Sequence, residues 1–122
     1  MNNAAILALG AVLGLVAPGL ALADCQRPTP PAAIDGKTAT VAQLTTAKQA
    51  VMTFMSDSDT YQGCVIDELK AKKAAADAAK TKLDPKLAKA ADAALSANQA
   101  DKEKVGGEFN TAAKAYRAAH SS

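Results

Sequence analysis

The sequence predicts an all-α fold: a long antiparallel helical hairpin preceded by an extended N-terminal arm. Apolar and small residues recur at alternating steps of three and four from Leu44 to Val65, the spacing of a helix packed against another helix. Alanine and lysine, two strong helix formers, dominate the chain after Leu69. Asp84-Pro85 then joins a favoured N-cap to a residue suited to the first helical position, which predicts the start of a second helix.

Residues 1–23 have the character of a secretory signal peptide. The segment contains no charged residue, carries an apolar stretch broken by Pro18-Gly19, and ends in the small-x-small cleavage site Ala21-Leu22-Ala23. It departs from the usual pattern in lacking Lys or Arg near its start. The apolar stretch is too short for a membrane anchor. We therefore expect cleavage after Ala23, a mature chain without a transmembrane span, and a periplasmic or secreted location.

Cys25 and Cys64 are the two cysteines, and in an exported chain they are most simply a disulfide. Such a bond closes a loop of about 40 residues, for which the chain-entropy model gives roughly 4 kcal/mol. The separation is unlike Cys-x-x-Cys, which argues against redox chemistry, and an intermolecular bridge is the other possible pairing. The residues before Cys25 also resemble a lipid-attachment motif, but Asp24 is charged where that motif needs a small residue.

The overall composition restricts the possible partners. The net charge is +2 and is evenly spread, which is too weak to argue for binding to nucleic acid or to a membrane surface, and we expect no nucleic-acid partner. Aromatic residues make up 3% of the chain and Trp is absent, which predicts a thin core. A two-helix hairpin with so little apolar bulk is short of burial, so we expect self-association or a protein partner.

Residues 24–39 are predicted to form an extended arm. Three prolines fix φ and remove backbone donors, which favours polyproline geometry over helix, and Asp35-Gly36 predicts a turn. Cys25 would hold this arm down at one end. The predicted organisation is a signal peptide at 1–23, the arm at 24–39 and a helical hairpin domain at 40–122.

The first helix should begin near Thr38 or Thr40, since either is a suitable N-cap. Its predicted buried seam consists of Leu44, Ala47, Val51, Phe54, Ser58, Tyr61 and Val65. The three-four spacing continues through residues 56–59, a run whose composition is typical of a loop, so we expect one long helix. A break at 56–59, with Ser58 capping a new helix, would give a three-helix bundle instead.

The second helix should run from Pro85 to about Ala119, with Gly106-Gly107 as an unfavourable pair in its interior. Its predicted buried side consists of Leu87, Ala91, Ala94, Leu95, Asn98, Val105, Phe109, Ala112, Ala113 and Tyr116. For Asn98 we favour a role in fixing the helix register, as buried amides do in coiled coils, over a polar binding face.

Folding back at Leu83-Asp84 would place each large ring opposite a smaller residue, as close packing requires. The predicted opposing pairs are Tyr61 with Gly106, Ser58 with Phe109, Phe54 with Ala113, and Val51 with Tyr116. This register would gather the four aromatic residues toward the open end of the hairpin. They would form either part of the core or a small-ligand site.

The chain shows no convergent set of catalytic or metal-ligating residues. Asp57, Asp59 and Glu68 match three positions of a calcium-binding loop, but the positions that need an oxygen ligand and a glycine hold Tyr and Gln. His120 is the single histidine, too few nitrogen ligands for zinc or copper and a poor candidate for the base of a triad. We expect no metal site, no cofactor and no enzymatic activity.

Several short patterns are spread over most of the chain that follows the signal peptide. They are Cys25-x-x-Pro28, Asp35-Gly36-Lys37-x-Ala39, Val51-x-x-Phe54, Tyr61-x-x-Cys64, Asn98-x-x-x-Lys102-x-x-Val105-Gly106 and Ala115-Tyr116. In these residues the chain resembles a loose group of short exported helical proteins of Gram-negative bacteria. The resemblance implies secretion and helices but no activity.

These observations predict a non-enzymatic interaction or structural protein of the periplasm or cell envelope. The alternative is a binding module for a small apolar or cationic ligand, using the aromatic cluster. That cluster would consist of Phe54, Tyr61, Phe109 and Tyr116.

Overall fold

The computed structural model describes residues 24–121, which form two long helices joined by a short connection. Helix α1 spans Val41–Ala78 and helix α2 spans Pro85–His120. The two helices pack against each other as an antiparallel hairpin, which confirms the predicted all-α fold class. The predicted signal peptide lies outside the described residues. Within residues 24–121, neither helix contains a segment long and apolar enough to cross a membrane.

Helix α1 begins at a complete capping box. The Thr40 hydroxyl accepts a hydrogen bond from the backbone N–H of Gln43 at 3.1 Å, and the Gln43 side chain accepts one from the N–H of Thr40 at 2.9 Å. Two backbone donors that the first turn leaves without partners are thereby satisfied. Thr40, rather than Thr38, is therefore the N-cap.

Helix α1 continues without a break through residues 56–59, so the three-helix alternative is wrong. Ser58 therefore does not cap a new helix. Its side chain is instead fully buried in the seam between the helices. Thr60 returns its hydroxyl to the carbonyl of Ser56 at 3.2 Å, a local bond that the helical backbone accommodates. The three-four spacing was thus a better guide here than the loop-like composition.

Helix α1 ends at Ala78, earlier than the predicted junction at Leu83-Asp84. The N–H of Thr81 donates to the carbonyl of Ala76 at 2.9 Å and that of Lys80 to Asp77 at 3.1 Å, which is the Schellman pattern of helix ends. Lys80 adopts the left-handed conformation that this motif requires, with φ of 54°. Its position in a run of strong helix formers is why composition alone did not predict the ending.

Asp84 caps α2 by accepting a hydrogen bond from the backbone N–H of Lys86 at 2.9 Å, with Pro85 at the first helical position. This confirms the predicted start. The favourable position of Pro85 follows from its missing N–H, which would have no partner in the first turn.

The predicted register between the helices is wrong by about two helical turns. Tyr61 does not face Gly106. It packs with Val65 and Ala91, and the flanking Ala94 and Leu95 complete this small core. Because α1 ends earlier than predicted, the turn lies closer to the N-terminus. Each residue of α1 therefore faces an α2 residue that comes earlier in the chain than the predicted one.

The arm runs back along the hairpin from the middle of α1 toward the open end. A disulfide joins Cys25 to Cys64, with 5.6 Å between the two Cα atoms, which confirms the predicted bridge. Farther along, Gly36 is buried directly against the α2 backbone at Ala112. The arm contacts both helices, and it therefore covers one of the two grooves between them.

Candidate functional site

A layer of polar side chains crosses the helix seam at mid-height. The Asn98 amide donates to the Ser58 hydroxyl at 3.2 Å, and its carbonyl oxygen accepts from the Gln62 amide at 2.9 Å. Asn98 and Ser58 are both fully buried. No ligand could reach the Asn98 side chain without opening the hairpin. This geometry supports the role in register over the polar binding face.

Ion pairs flank this layer on its two sides. Lys102 pairs with Asp59 at 2.5 Å and connects α2 to α1. The next residue back, Asp101, accepts two hydrogen bonds from the Arg27 guanidinium, the shorter at 2.6 Å, and connects α2 to the arm. Neighbouring residues on α2 therefore point to opposite grooves, one occupied by the arm and one free of it.

Glu68 lies beside the disulfide, where one carboxylate oxygen comes within 4.8 Å of both sulfur atoms. Its Oε2 atom is buried and has no hydrogen-bond partner among residues 24–121. Thiolates, rather than disulfide sulfurs, are the metal ligands of cysteine chemistry. While the bridge is intact, this cluster is therefore not a metal site.

The four aromatic residues singled out from the sequence occupy different surroundings. Phe54 and Tyr61 are buried, with 3% and 7% of their surface exposed, and Tyr61 belongs to the small core around Val65. Phe109 and Tyr116 are half-buried. Among residues 24–121 the one stacked pair of rings joins Tyr116 to His120, at 4.1 Å between centroids.

The cavity next to Phe109 is too small for a ligand. It has a volume of about 20 Å³ and lies among Ala32, Val51, Val105 and Phe109. A much larger groove of about 610 Å³ runs between the arm and the first turns of α1, and alanines make up much of its lining. No aromatic residue lines that groove. The structure therefore separates the rings from the space in which a small molecule could sit.

Three large apolar side chains of α1 are exposed to solvent. Val41, Met52 and Ile66 are 65%, 55% and 41% exposed. At 3.6 residues per turn they lie within about 40° of one another around the helix, while Cys64, which holds the arm, lies about 140° away. The side of α1 that carries these three exposed residues therefore faces away from the arm, toward the groove that the arm leaves uncovered.

Sequence reasoning missed this exposed side of α1. Its members follow the same three-four spacing as the core seam but stand one residue later, at Met52 after Val51 and at Ile66 after Val65. The sequence analysis predicts one stripe on α1, the seam that faces α2. It does not distinguish the second stripe, which lies beside that seam. The signal was a second series at three-four spacing, which runs one residue after the seam and includes Met52, Met55 and Ile66.

The residues weighed as a calcium loop lie on a continuous helix and cannot wrap around an ion. Asp59 instead pairs with Lys102, and Glu68 lies by the disulfide. His120 is exposed at the end of α2, where its Nδ1 lies 2.9 Å from the carbonyl oxygen of Tyr116. Within residues 24–121 the structure therefore does not bring these acids and the histidine into one site.

Comparison of the chain with protein-family models, with curated proteins and with solved structures gave no match.

Proposed function

We propose that this chain is a non-enzymatic protein of the cell envelope, exported to the periplasm, that acts by binding a protein partner through one side of α1. The supporting features of export are the apolar leader-like segment at residues 1–23 and the disulfide, a bond typical of oxidising compartments. The proposed binding surface is the side of α1 that carries Val41, Met52 and Ile66.

One observation carries the proposal: the arm covers one groove of the hairpin, and the three exposed large apolar side chains of α1 are on the other side. These side chains are spaced along one line of α1 rather than gathered in one patch, so a partner lying along the helix would bury all of them. The disulfide and the contact of Gly36 with Ala112 hold the arm in place, so it does not cover α1 from the other side.

Site-specific photo-crosslinking in living cells tests the binding surface. We expect a benzophenone amino acid at Met52 to give one discrete crosslinked species, identified by mass spectrometry. The same residue at Asp57, which lies on another side of α1, provides the matched control and should give none. Equal products at both positions, or none at Met52, would contradict the proposal.

Intact mass of the protein recovered from the periplasmic fraction tests export. We expect the chain to begin at Asp24 and to be two hydrogen masses lighter than its reduced form, because the disulfide is intact. Full-length protein recovered only from the cytoplasm would contradict this part of the proposal.

The groove between the arm and α1 suggests a second function, the binding of a small apolar molecule. Its volume of about 610 Å³ falls in the range of ligand sites. It differs from the predicted aromatic site in its lining. Ala42→Trp would fill the groove from α1, so it should abolish the NMR shifts that a bound apolar probe causes at Thr46 and Ala50. No probe-dependent shifts in the unaltered chain would exclude this function.

A further inference from the structure

Helix α1 carries a second stripe of residues beside its core seam. The stripe consists of Val41, Thr45, Lys48, Met52, Met55, Asp59, Gln62 and Ile66. Steps of four and three alternate along its whole length, which is the spacing of a second helix-packing seam. It spans about 38 Å at 1.5 Å per residue. Each member after Val41 directly follows a residue of the buried seam, so α1 presents two adjacent packing faces.

The stripe has matching halves when it is followed from its two ends. Val41 corresponds to Ile66, Thr45 to Gln62, Lys48 to Asp59, and Met52 to Met55. Apolar residues thus correspond to apolar residues, polar to polar, and the one basic residue to the one acidic residue. Two copies of α1 laid antiparallel would bring each of these residues opposite its counterpart.

We propose that two copies of this chain pair through this stripe as an antiparallel dimer with twofold symmetry. The inference rests on the proposed function and specifies its partner as a second copy. Twofold dimers use the same patch on both subunits, so each contact occurs twice. The matching halves of the stripe meet that requirement.

Charge selects the antiparallel orientation. In a parallel pair in the same register, Lys48 would meet Lys48 and Asp59 would meet Asp59, which is repulsive. In the antiparallel pair, Lys48 of each copy meets Asp59 of the other. Asp59 already uses Oδ1 to bind Lys102, but its side chain is 68% exposed, which leaves its second oxygen open to a further donor.

The stripe borders α2, which half-buries Met55 and Gln62, while the other six members are exposed. Met55, at the centre of the stripe, lies beside Gly106 of α2, where an added β-carbon would be 3.6 Å from the Met55 methyl group. Because Gly106 has no side chain, α2 places no β-carbon against the Met55 methyl group. The arm does not interfere, since Cys64 holds it on another side of α1.

A charge exchange followed by sedimentation equilibrium tests the dimer. We expect the unaltered chain to dimerise at micromolar concentration and Lys48→Glu alone to weaken the dimer at least tenfold, because the introduced carboxylate would meet Asp59 of the second copy. Asp59→Lys alone should weaken it similarly. An equimolar mixture of the two variants should dimerise again, since both charge pairs are then restored in the mixed dimer.

Asp57→Lys is the matched control, a nearby exposed acid outside the stripe. It should dimerise alone and should not rescue Lys48→Glu. Met52→Glu adds a variant at an exposed position that preserves the fold, and it should be monomeric with an unchanged far-UV circular dichroism spectrum.

A monomeric unaltered chain at 100 μM, dimerisation unaffected by Lys48→Glu, or failure of the mixture to dimerise would each overturn the inference. A monomer that still crosslinks to a different protein through Met52 would refute the dimer and leave the proposed function standing. No crosslink and no dimer would refute both.

Discussion

Gly36 lies against the carbonyl group of Ala112, so close that a β-carbon at position 36 would stand 1.8 Å from the carbonyl oxygen. This contact joins the arm to α2 near the open end of the hairpin, far from the disulfide at Cys64. The arm is thus held at two separate places. The first is covalent, and the second depends on the absence of a side chain.

Replacement of Gly36 tests the second attachment. We expect Gly36→Ala to lower the free energy of unfolding by about 1–3 kcal/mol, because the methyl group meets backbone that cannot rotate away. Urea unfolding followed by circular dichroism measures the change. Hydrogen exchange at Lys37 and Thr38 should also become faster. An unchanged midpoint and unchanged exchange would show that the arm does not pack at Ala112.

Gly63 provides the matched control and a prediction of opposite sign. A β-carbon there would meet nothing within 4 Å beyond its own stretch of helix, and the residue is exposed in the interior of α1. Gly63→Ala should therefore stabilise the protein by about 0.5–1 kcal/mol, through reduced backbone entropy in the unfolded chain. A loss of stability would indicate that something covers this part of α1.

Asn98→Ala should be among the most destabilising substitutions, at about 1–3 kcal/mol, because it leaves the buried Ser58 hydroxyl without its partner. The double variant Asn98→Ala with Ser58→Ala removes both groups, and its loss should be smaller than the sum of the two single losses. Thermal unfolding of the single and double variants measures the coupling. Additive losses would argue against a hydrogen bond across the seam.

Removal of the disulfide by Cys25→Ser together with Cys64→Ser should lower stability by up to about 4 kcal/mol, the chain-entropy value for a loop of this length. The two helices should persist, since neither needs the arm for its own hydrogen bonds. We therefore expect a lower melting temperature with a nearly unchanged helical signal at 10 °C. Complete loss of helix at that temperature would show that the arm is required for folding.

Lys80→Gly should raise stability by about 1 kcal/mol, because Lys80 adopts a left-handed conformation that costs a side-chain-bearing residue roughly this much. Lys82→Gly, two residues further along the same connection, is the control and should give no gain. Both are read from urea midpoints. Equal effects at the two positions would argue against the Schellman ending of α1.

Much of the local structure could be predicted from short patterns. Asp84-Pro85 identified the start of α2, and the recurrence from Leu44 to Val65 contained all four residues that α1 buries. Its other members, Leu44, Ala47 and Val51, are half-buried. The two cysteines allowed one intramolecular pairing, and the structure contains it. The helix features depend on residues that are close in sequence. The disulfide could be predicted because two cysteines can form only one intramolecular pair.

The register between the helices, and which stripe of α1 stays exposed, could not be predicted in the same way. An alanine-rich seam offers nearly equal packing at several registers, since sliding by a turn exchanges one alanine for another. The bonds of Asn98 with Ser58 and of Lys102 with Asp59 distinguish these registers, and neither pair is adjacent in sequence.

The sequence by itself therefore determined the two helices, the start of α2 and the seam along which the helices pack. Tertiary structure decided which of those residues meet, which groove the arm covers and which apolar side chains of α1 remain exposed. The physical reason is the range of the forces involved. Helix formation and capping act over a few residues, whereas register and burial depend on contacts between segments separated by tens of residues.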